Sequence, residues 1–241
     1  MERESVMKYV ILDAGHNEFI AGKRSFDRSL KEWEFNRDVA RRIANILAKT
    51  GKIHTHLLWT EFADMKKDVN ERVKQANAMD ADILVSIHAN AYGSSWNNAS
   101  GWEIFCYNLD KNSEGYKLAK AIHDESIPFL GIKDRGIKDD PGFAMVSKTK
   151  MPSVLIEHGF YTNLEEVELL KSNEFRQKCA EADAKGICKY LGVPYDEQTT
   201  KPASEHRQKV KERFGFEDAT LDYLEQYKYG DELLKKLATK G

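Results

Sequence analysis

The chain has 241 residues, of which 41% are hydrophobic and 32% are charged, and its formal net charge is -2. This composition is typical of a folded globular protein with one sizeable core and room for a small appendage. The near-zero charge offers no electrostatic surface for nucleic acid or an anionic membrane. No apolar run reaches the length of a membrane span, and the first residues lack the pattern of a secretory signal. We therefore expect synthesis and folding in a cytoplasm, with no nucleic-acid or membrane partner.

The first 195 residues alternate apolar, strand-like runs with amphipathic helical segments. The strand candidates are residues 9–12, 53–59, 83–87, 102–107, 144–146 and 154–156. Apolar residues recur at helical spacing between them, as Val39, Ile43 and Leu47 do. This alternation predicts an α/β domain over residues 1–195, with a mostly parallel sheet of about six strands and helices on both faces. The three cysteines show neither metal-ligand nor disulfide spacing, so we expect them in the core.

The C-terminal part of the chain has a different pattern. Residues 196–205, with the sequence DEQTTKPASE, contain no apolar residue larger than Ala and predict a linker. Apolar residues then fall in three short segments separated by Gly215 and Gly230, which predicts a small helical module over residues 206–241. A module this short is marginal by itself.

Polar side chains follow three of the predicted strands. The apolar run that begins YVIL is followed by DAGH, which ends in His16. His88 comes directly after the run over residues 83–87, and Glu157 comes directly after the strand over residues 154–156. Because helical crossovers would make these strands parallel, their carboxyl ends share one edge of the sheet. The sequence therefore predicts a site in which two imidazoles and a carboxylate converge.

A catalytic zinc site needs a third protein ligand besides the two histidines. Glu32 is our candidate because it lies at the start of a predicted helix, close to the strand ends. A competing interpretation is that SLKE, residues 29–32, forms a capping box, in which the Glu32 side chain would bond to its own helix start. Glu34 is the nearest rival ligand.

These residues resemble the type 3 family of zinc-dependent N-acetylmuramoyl-L-alanine amidases. The family's motifs occur here in order: DAGH at residues 13–16, Glu32 four residues before Asn36, SIHAN at residues 86–90, and EHGFYTN at residues 157–163. NERVKQAN at residues 70–77 and RGIK at residues 135–138 are similar to two further family segments. Two residues depart from the family pattern, since Ala14 and Asn17 stand where a Pro and a Gly are usual. We expect both departures to change only the shape of the loop.

The resemblance implies a function. His16, Glu32 and His88 would bind one Zn²⁺, and Glu157 would be the catalytic carboxylate. The substrate would be bacterial peptidoglycan, cleaved between N-acetylmuramic acid and the L-Ala of the stem peptide. The small module over residues 206–241 would then bind the cell wall. The same resemblance favours Glu32 over Glu34, because the family's ligand lies four residues before the Asn.

Two further residues are candidates for contact with the substrate. Arg135 could hold a stem-peptide carboxylate through paired hydrogen bonds, although a surface ion pair explains it equally well. Asn90 could bond to the substrate or fix its own loop. His158 should point to the opposite side of its strand, so it is left outside the site.

Two functions from different classes remain at this point. The first is a cell-wall amidase, either a phage endolysin that reaches the wall after release or a sporulation enzyme. The second is a wall-binding or regulatory protein that keeps the fold without hydrolysis. The presence of Glu157 favours the first, because a binding module does not need that carboxylate.

Overall fold

The computed structural model describes residues 7–195, 205–216, 220, 221, 224 and 230–239. The chain divides into two compact units, Met1–Tyr195 and Asp196–Gly241. The elements of the first unit are, in chain order, β1 (Lys8–Ala14), α1 (Glu32–Ala48), β2 (Ile53–Leu58), α2 (Met65–Ala78), β3 (Ile83–Asn90), β4 (Trp102–Cys106), α3 (Glu114–Leu130), β5 (Asp134–Asp139), α4 (Ala144–Ser147), β6 (Ser153–Phe160), α5 (Leu164–Lys171) and α6 (Asn173–Leu191).

The six strands form one sheet in the order β2-β1-β3-β6-β4-β5. Strands β2, β1, β3 and β6 are parallel, whereas β4 runs antiparallel to β6 and parallel to β5. Two parallel strands must be joined by a crossover, which is usually helical. Residues 91–101, between β3 and β4, contain no helix, which agrees with the reversed direction of β4. The sheet has six strands and is mostly parallel, so the predicted α/β class is confirmed.

Helices cover both faces of the sheet, but unequally. Alternate residues of each central strand face opposite sides, so Val10 and Leu12 pack with the helices α1, α3 and α6. Ile11 and Leu84 face the other side, where they pack with Ala76 of α2 and Met145 of α4. The second face is thus covered by two helices, one of them a single turn. That thinner layer leaves space for a cleft above the carboxyl ends of the strands.

One predicted strand is wrong, and one strand of the sheet was not predicted. Residues 144–146 form part of the short helix α4 and not a strand, because a three-residue apolar run has no period that separates the two. The missing strand is β5, with the sequence DRGIKD, at the edge of the sheet. Its charged side chains are half-buried or exposed, so it has no apolar run for sequence analysis to detect.

Strands β3 and β6 also extend further than predicted. His88 and Glu157 lie within them and not beyond their ends. The three cysteines are free and buried, as expected.

In the second unit the described residues include the helices α7 (Glu205–Phe214) and α8 (Gly230–Thr239). Val210, Leu221 and Leu234 form a small buried cluster. The predicted linker lies outside the described residues, apart from Glu205 at its end. Within the part of the chain that the structure describes, no helix has the length and apolarity needed to cross a membrane.

Candidate metal centre and active-site cleft

His16 lies two residues beyond β1, on a loop that is held closely against β3. The Gly15 N–H donates to the Ile87 carbonyl at 3.1 Å, and Asn36 Nδ2 donates to the Gly15 carbonyl at 2.8 Å. A Cβ on Gly15 would lie only 2.1–2.6 Å from atoms of the His88 ring, so only glycine fits there. His16 itself has a φ of 61°, a left-handed conformation that is uncommon outside glycine. These contacts aim the His16 side chain toward His88.

Glu32 completes a group of three possible metal ligands. Its Oε1 is 2.9 Å from Nδ1 of His88, and its Oε2 is 3.5 Å from Nε2 of His16. One ligand atom from each of the three residues lies within 4.8 Å of the others, and all three side chains are buried. Among the described residues no other group of three or more His, Cys, Asp or Glu side chains meets this geometry.

The capping box does not form at the start of α1. The N-cap residue is Lys31, whose side chain makes no capping bond, and the Ser29 hydroxyl donates to Asp27 instead. The Glu32 backbone N–H donates to the Lys23 carbonyl, which leaves the carboxylate to face the histidines. Glu34 pairs with Lys31 on the surface. The structure therefore places Glu32, and not Glu34, beside the two imidazoles.

Burial sets the protonation state of the group. It lowers the pKa of His16 and that of His88 to about 3, so both imidazoles are neutral at pH 7. The neutral imidazole is the form that binds a metal ion. Nδ1 of His16 is buried and has no hydrogen-bond partner among the described residues. Glu32 and His88 bond to each other, so among these three side chains Nδ1 of His16 is the buried polar atom left unsatisfied by the described residues.

Glu157 lies directly beside this group. In the sheet it is the register partner of His88 on β3 and of Glu103 on β4. Its carboxyl group is buried, and Oε2 has no hydrogen-bond partner within the described chain. Burial raises the pKa of Glu157 well above its usual value, and the neighbouring charges of Glu32 and Glu103 raise it further. The carboxyl group is thus suited to taking up and releasing a proton.

All four of these side chains line one cleft of about 360 Å³. Helices α2 and α4 form its walls through Met65, Val69 and Met145, and the ends of the strands form its floor. A larger depression of about 870 Å³ lies near the C-terminal end of α3 and helix α5, and none of the four lines it.

A buried ionic network supports the floor of the cleft. Arg72 of α2 donates from Nη1 to both carboxylate oxygens of Asp13, at 2.6 and 2.8 Å, and from Nε to Asp68 at 3.2 Å. The Ser86 hydroxyl of β3 donates to Asp13 at 2.5 Å. Because a buried charge without its partner is strongly destabilising, this network fixes β1, β3 and α2 relative to one another.

Asn17 is one of the two residues that depart from the family pattern, and its side chain holds the loop after His16 in place. Its side chain is fully buried and donates to Asp68 at 2.7 Å and to the Phe62 carbonyl at 3.0 Å. Its Oδ1 accepts the Phe19 N–H at 2.8 Å. The residue after His16 is thus tied to the same network as Arg72.

Sequence analysis missed the partners of His158. As predicted, His158 faces the side of β6 opposite to the cleft, where Nε2 is 2.9 Å from Oδ2 of Asp183 on α6. Its Nδ1 is 3.1 Å from the backbone carbonyl of His88. The pair therefore fixes the backbone of a candidate ligand from behind the sheet. No local motif could have revealed this contact, because Asp183 lies 25 residues further along the chain.

Arg135 and Asn90 both bond to Glu103, a second residue that sequence analysis missed. Arg135 Nε donates to Oε2 of Glu103 at 2.7 Å, which is the ion-pair alternative considered for this residue. Asn90 Nδ2 donates to Oε1 of Glu103 at 2.6 Å, and Asn90 Oδ1 accepts the Ala91 N–H at 2.8 Å. Asn90 lines the cleft, whereas Arg135 is not among the residues that do.

Comparisons with known proteins agree with this geometry. The sequence profile of the type 3 N-acetylmuramoyl-L-alanine amidase family matches residues 10–189. The endolysin of Bacillus phage SPP1 is 30% identical over 204 residues, which cover 83% of this chain and 72% of the endolysin. The amidase LytC of Bacillus subtilis is 32% identical over 181 residues, covering 75% of this chain but only 35% of LytC.

A solved structure extends the comparison to the fold. The catalytic domain of the amidase CwlV from Bacillus (Paenibacillus) polymyxa superposes with a TM-score of 0.69 at 32% sequence identity. The match covers 78% of this chain and 100% of that domain.

The contact between Gly15 and His88 generates a prediction. Gly15→Ala should displace the His88 ring and weaken Zn²⁺ binding by about 10–100-fold, the range typical for loss of a residue that supports a ligand. Competition with a chromophoric chelator measures the affinity. Gly115→Ala is the matched control, because a Cβ there would make only ordinary contacts at 3.7 and 3.8 Å. Equal affinity in the two variants would show that the close approach is not needed for metal binding.

Proposed function

The chain belongs to the type 3 family of N-acetylmuramoyl-L-alanine amidases, and we propose that it hydrolyses peptidoglycan as a phage endolysin with one bound Zn²⁺. As an enzyme of this family it acts on the amide bond that joins N-acetylmuramic acid to the L-Ala of the stem peptide. The observation that carries the proposal is the convergence of His16, Glu32 and His88, with Glu157 as the register partner of His88.

The residues present fit a zinc ion. Two imidazoles and one carboxylate are a donor set typical of catalytic zinc sites, which keep a further position for water or substrate. The buried Nδ1 of His16 and the buried Oε2 of Glu157 have no partner among the described residues, so the protein leaves polar atoms unsatisfied at this point. When bound, Zn²⁺ would supply Lewis acidity, which lowers the pKa of water to about 7 and polarises a carbonyl group.

Glu157 would carry the proton transfers. Amide hydrolysis requires removal of a proton from the attacking water and delivery of a proton to the departing amine nitrogen. A single carboxyl group that faces the cleft can do both in turn, as general base and then general acid, which typically contributes about 10²–10⁴-fold. The raised pKa of Glu157 suits this role, because the group must hold the proton between the two transfers.

His16, Glu32 and His88 would hold the metal, and their support determines their geometry. The close approach of Gly15 sets the distance between the two histidine side chains, and the His158–Asp183 pair holds the His88 backbone. We propose that Asn90 mainly fixes the cleft wall through Glu103. Arg135 is bonded to Glu103 and does not line the cleft, so it would contact only a part of the substrate that extends outside the cleft.

The endolysin role is supported by the similarity to the phage endolysin, which extends over most of both chains. The protein would then act on the bacterial wall after release from the cell in which it is made. A role in spore formation or germination is the second candidate, because two Bacillus subtilis amidases named for those processes are also similar to this chain.

We also propose that residues 206–241 direct the enzyme to the wall, with residues 196–205 as a linker. The separate compact unit and its own buried cluster support this division. The full chain should sediment with purified cell walls more strongly than a chain that ends at Tyr195, while the two hydrolyse a soluble muropeptide equally well. Equal sedimentation would exclude a targeting role for the second unit.

Mass spectrometry of digested peptidoglycan tests the reaction itself. We expect free stem peptides that begin with L-Ala, together with glycan strands that carry unsubstituted lactyl groups. Removal of the metal with a chelator should abolish their release, and added Zn²⁺ should restore it. Products cut within the glycan or within the peptide would contradict the proposed bond, and full activity after complete metal removal would contradict the metal.

The roles of the four residues can be separated by two substitutions. Glu157→Ala should keep bound zinc but lower kcat by about 10²–10⁴-fold, because it removes the proton-transfer group. His88→Ala should lose both the zinc and the activity. Zinc content by atomic spectrometry, measured with the rate on a soluble muropeptide, distinguishes the two variants. An equal fall in zinc content would show that the assigned roles are wrong.

A further inference from the structure

Two cationic side chains line the cleft, and only one of them has partners. Arg72 is buried and bonded to Asp13 and Asp68. Lys23 is half-buried, and within the described part of the chain its ammonium group makes no hydrogen bond or ion pair. The cleft thus holds one positive charge that the protein does not neutralise by direct contact.

The backbone of Lys23 is fixed beside the candidate metal ligands. Its carbonyl oxygen accepts the N–H of Glu32 at 2.9 Å, and the next residue, Arg24, forms a β-bridge with Lys31. The loop after His16 is therefore attached to the start of α1 where the ligand carboxylate emerges. A side chain that starts from this position extends into the same cleft as His16 and Glu157.

The charge of Lys23 acts on all four site residues. Burial is the largest cause of each pKa shift there, and Lys23 adds to the lowering at His16 and His88. At Glu32 and Glu157 the same charge opposes the rise in pKa that burial produces. An ammonium group that faces the reacting part of the cleft would affect all four pKa values in this way.

We propose that Lys23 binds the free α-carboxylate of the second stem-peptide residue, D-isoglutamate, and so makes the enzyme prefer that acid over its amide, isoglutamine. The inference rests on the proposed function. The sugar side of the scissile bond has no free carboxylate, because the lactyl carboxyl is consumed in the amide. The first free carboxylate on the leaving peptide belongs to its second residue.

The charges of the cleft lining single out Lys23 for such a contact. The lining contains two cations, Lys23 and Arg72, and two acids, Glu32 and Glu157. Because the guanidinium of Arg72 is already bonded to two carboxylates, Lys23 is the cation of the lining that is available to a peptide carboxylate. Arg135 is bonded to Glu103 and does not line the cleft, which makes it a weaker candidate for this role.

The test compares two soluble substrates, N-acetylmuramoyl-L-Ala-D-isoglutamate and its isoglutamine counterpart, with the zinc-loaded enzyme. Lys23→Met should lower kcat/KM about tenfold for the acid, mainly through KM, as expected for loss of one charge-assisted hydrogen bond. For the amide the change should stay within about twofold, because the lost interaction is to a charge that the amide lacks. Lys31→Met is the matched control, since Lys31 is exposed and pairs with Glu34, and it should leave both substrates unaffected.

A second measurement does not depend on hydrolysis. In the Glu157→Ala background, Lys23→Met should weaken binding of the acid by about tenfold and leave binding of the amide unchanged. An equal loss on both substrates, or no loss on the acid, would overturn the inference. If the unsubstituted enzyme hydrolyses neither substrate, the proposed reaction fails, and the binding comparison still decides the role of Lys23.

Discussion

The site depends on burying two imidazoles and a carboxylate within a few ångströms of one another at one edge of the sheet. Burial makes both histidines neutral, and a ring nitrogen of His16 has no partner among the described residues. Buried polar groups are normally satisfied, so an arrangement of this kind is stable only with strong support around it or with a ligand that fills it. The arrangement therefore supports the proposal of a cation site.

The support comes from two sides of the sheet and uses two kinds of interaction. On the cleft side, Arg72 joins Asp13 and Asp68 in a fully buried ionic network, and Asn17 ties the His16 loop into it. On the far side, where α1, α3 and α6 pack on the sheet, buried His158 bonds to Asp183 and contacts the His88 carbonyl, and Ser126 donates to the same Asp183. Ligands so constrained can take up a metal with little rearrangement.

The unequal layers of the fold explain where the cleft lies. Helices α1, α3 and α6 cover one face of the sheet closely, whereas α2 and the single turn α4 leave the strand ends open on the other. The carboxyl ends of parallel strands are where open α/β sheets place their sites. In this chain the lining of the resulting cleft includes Lys23, whose ammonium group makes no hydrogen bond or ion pair within the described residues.

The sequence by itself determined those features that depend on short stretches of chain. Two kinds of local pattern predicted the fold class and three of the four candidate site residues: apolar runs that end in His16, His88 or Glu157, and the helical spacing of Val39, Ile43 and Leu47. The motif match then favoured Glu32, although spacing alone allowed a cap. The strand β5 escaped detection because an edge strand with charged residues has no distinctive period.

Only the tertiary structure decided which distant side chains meet. The Glu32 carboxylate faces the histidines, Asp183 bonds to His158, and Glu103 bonds to Asn90 and Arg135. Among the described residues, Lys23 has no hydrogen-bond or ion-pair partner. Each of these outcomes depends on the register of neighbouring strands and on the packing of helices far apart in the chain. A one-residue change in the register of β3 or β6 would turn His88 or His158 to the opposite face of the sheet, and no local pattern encodes that register.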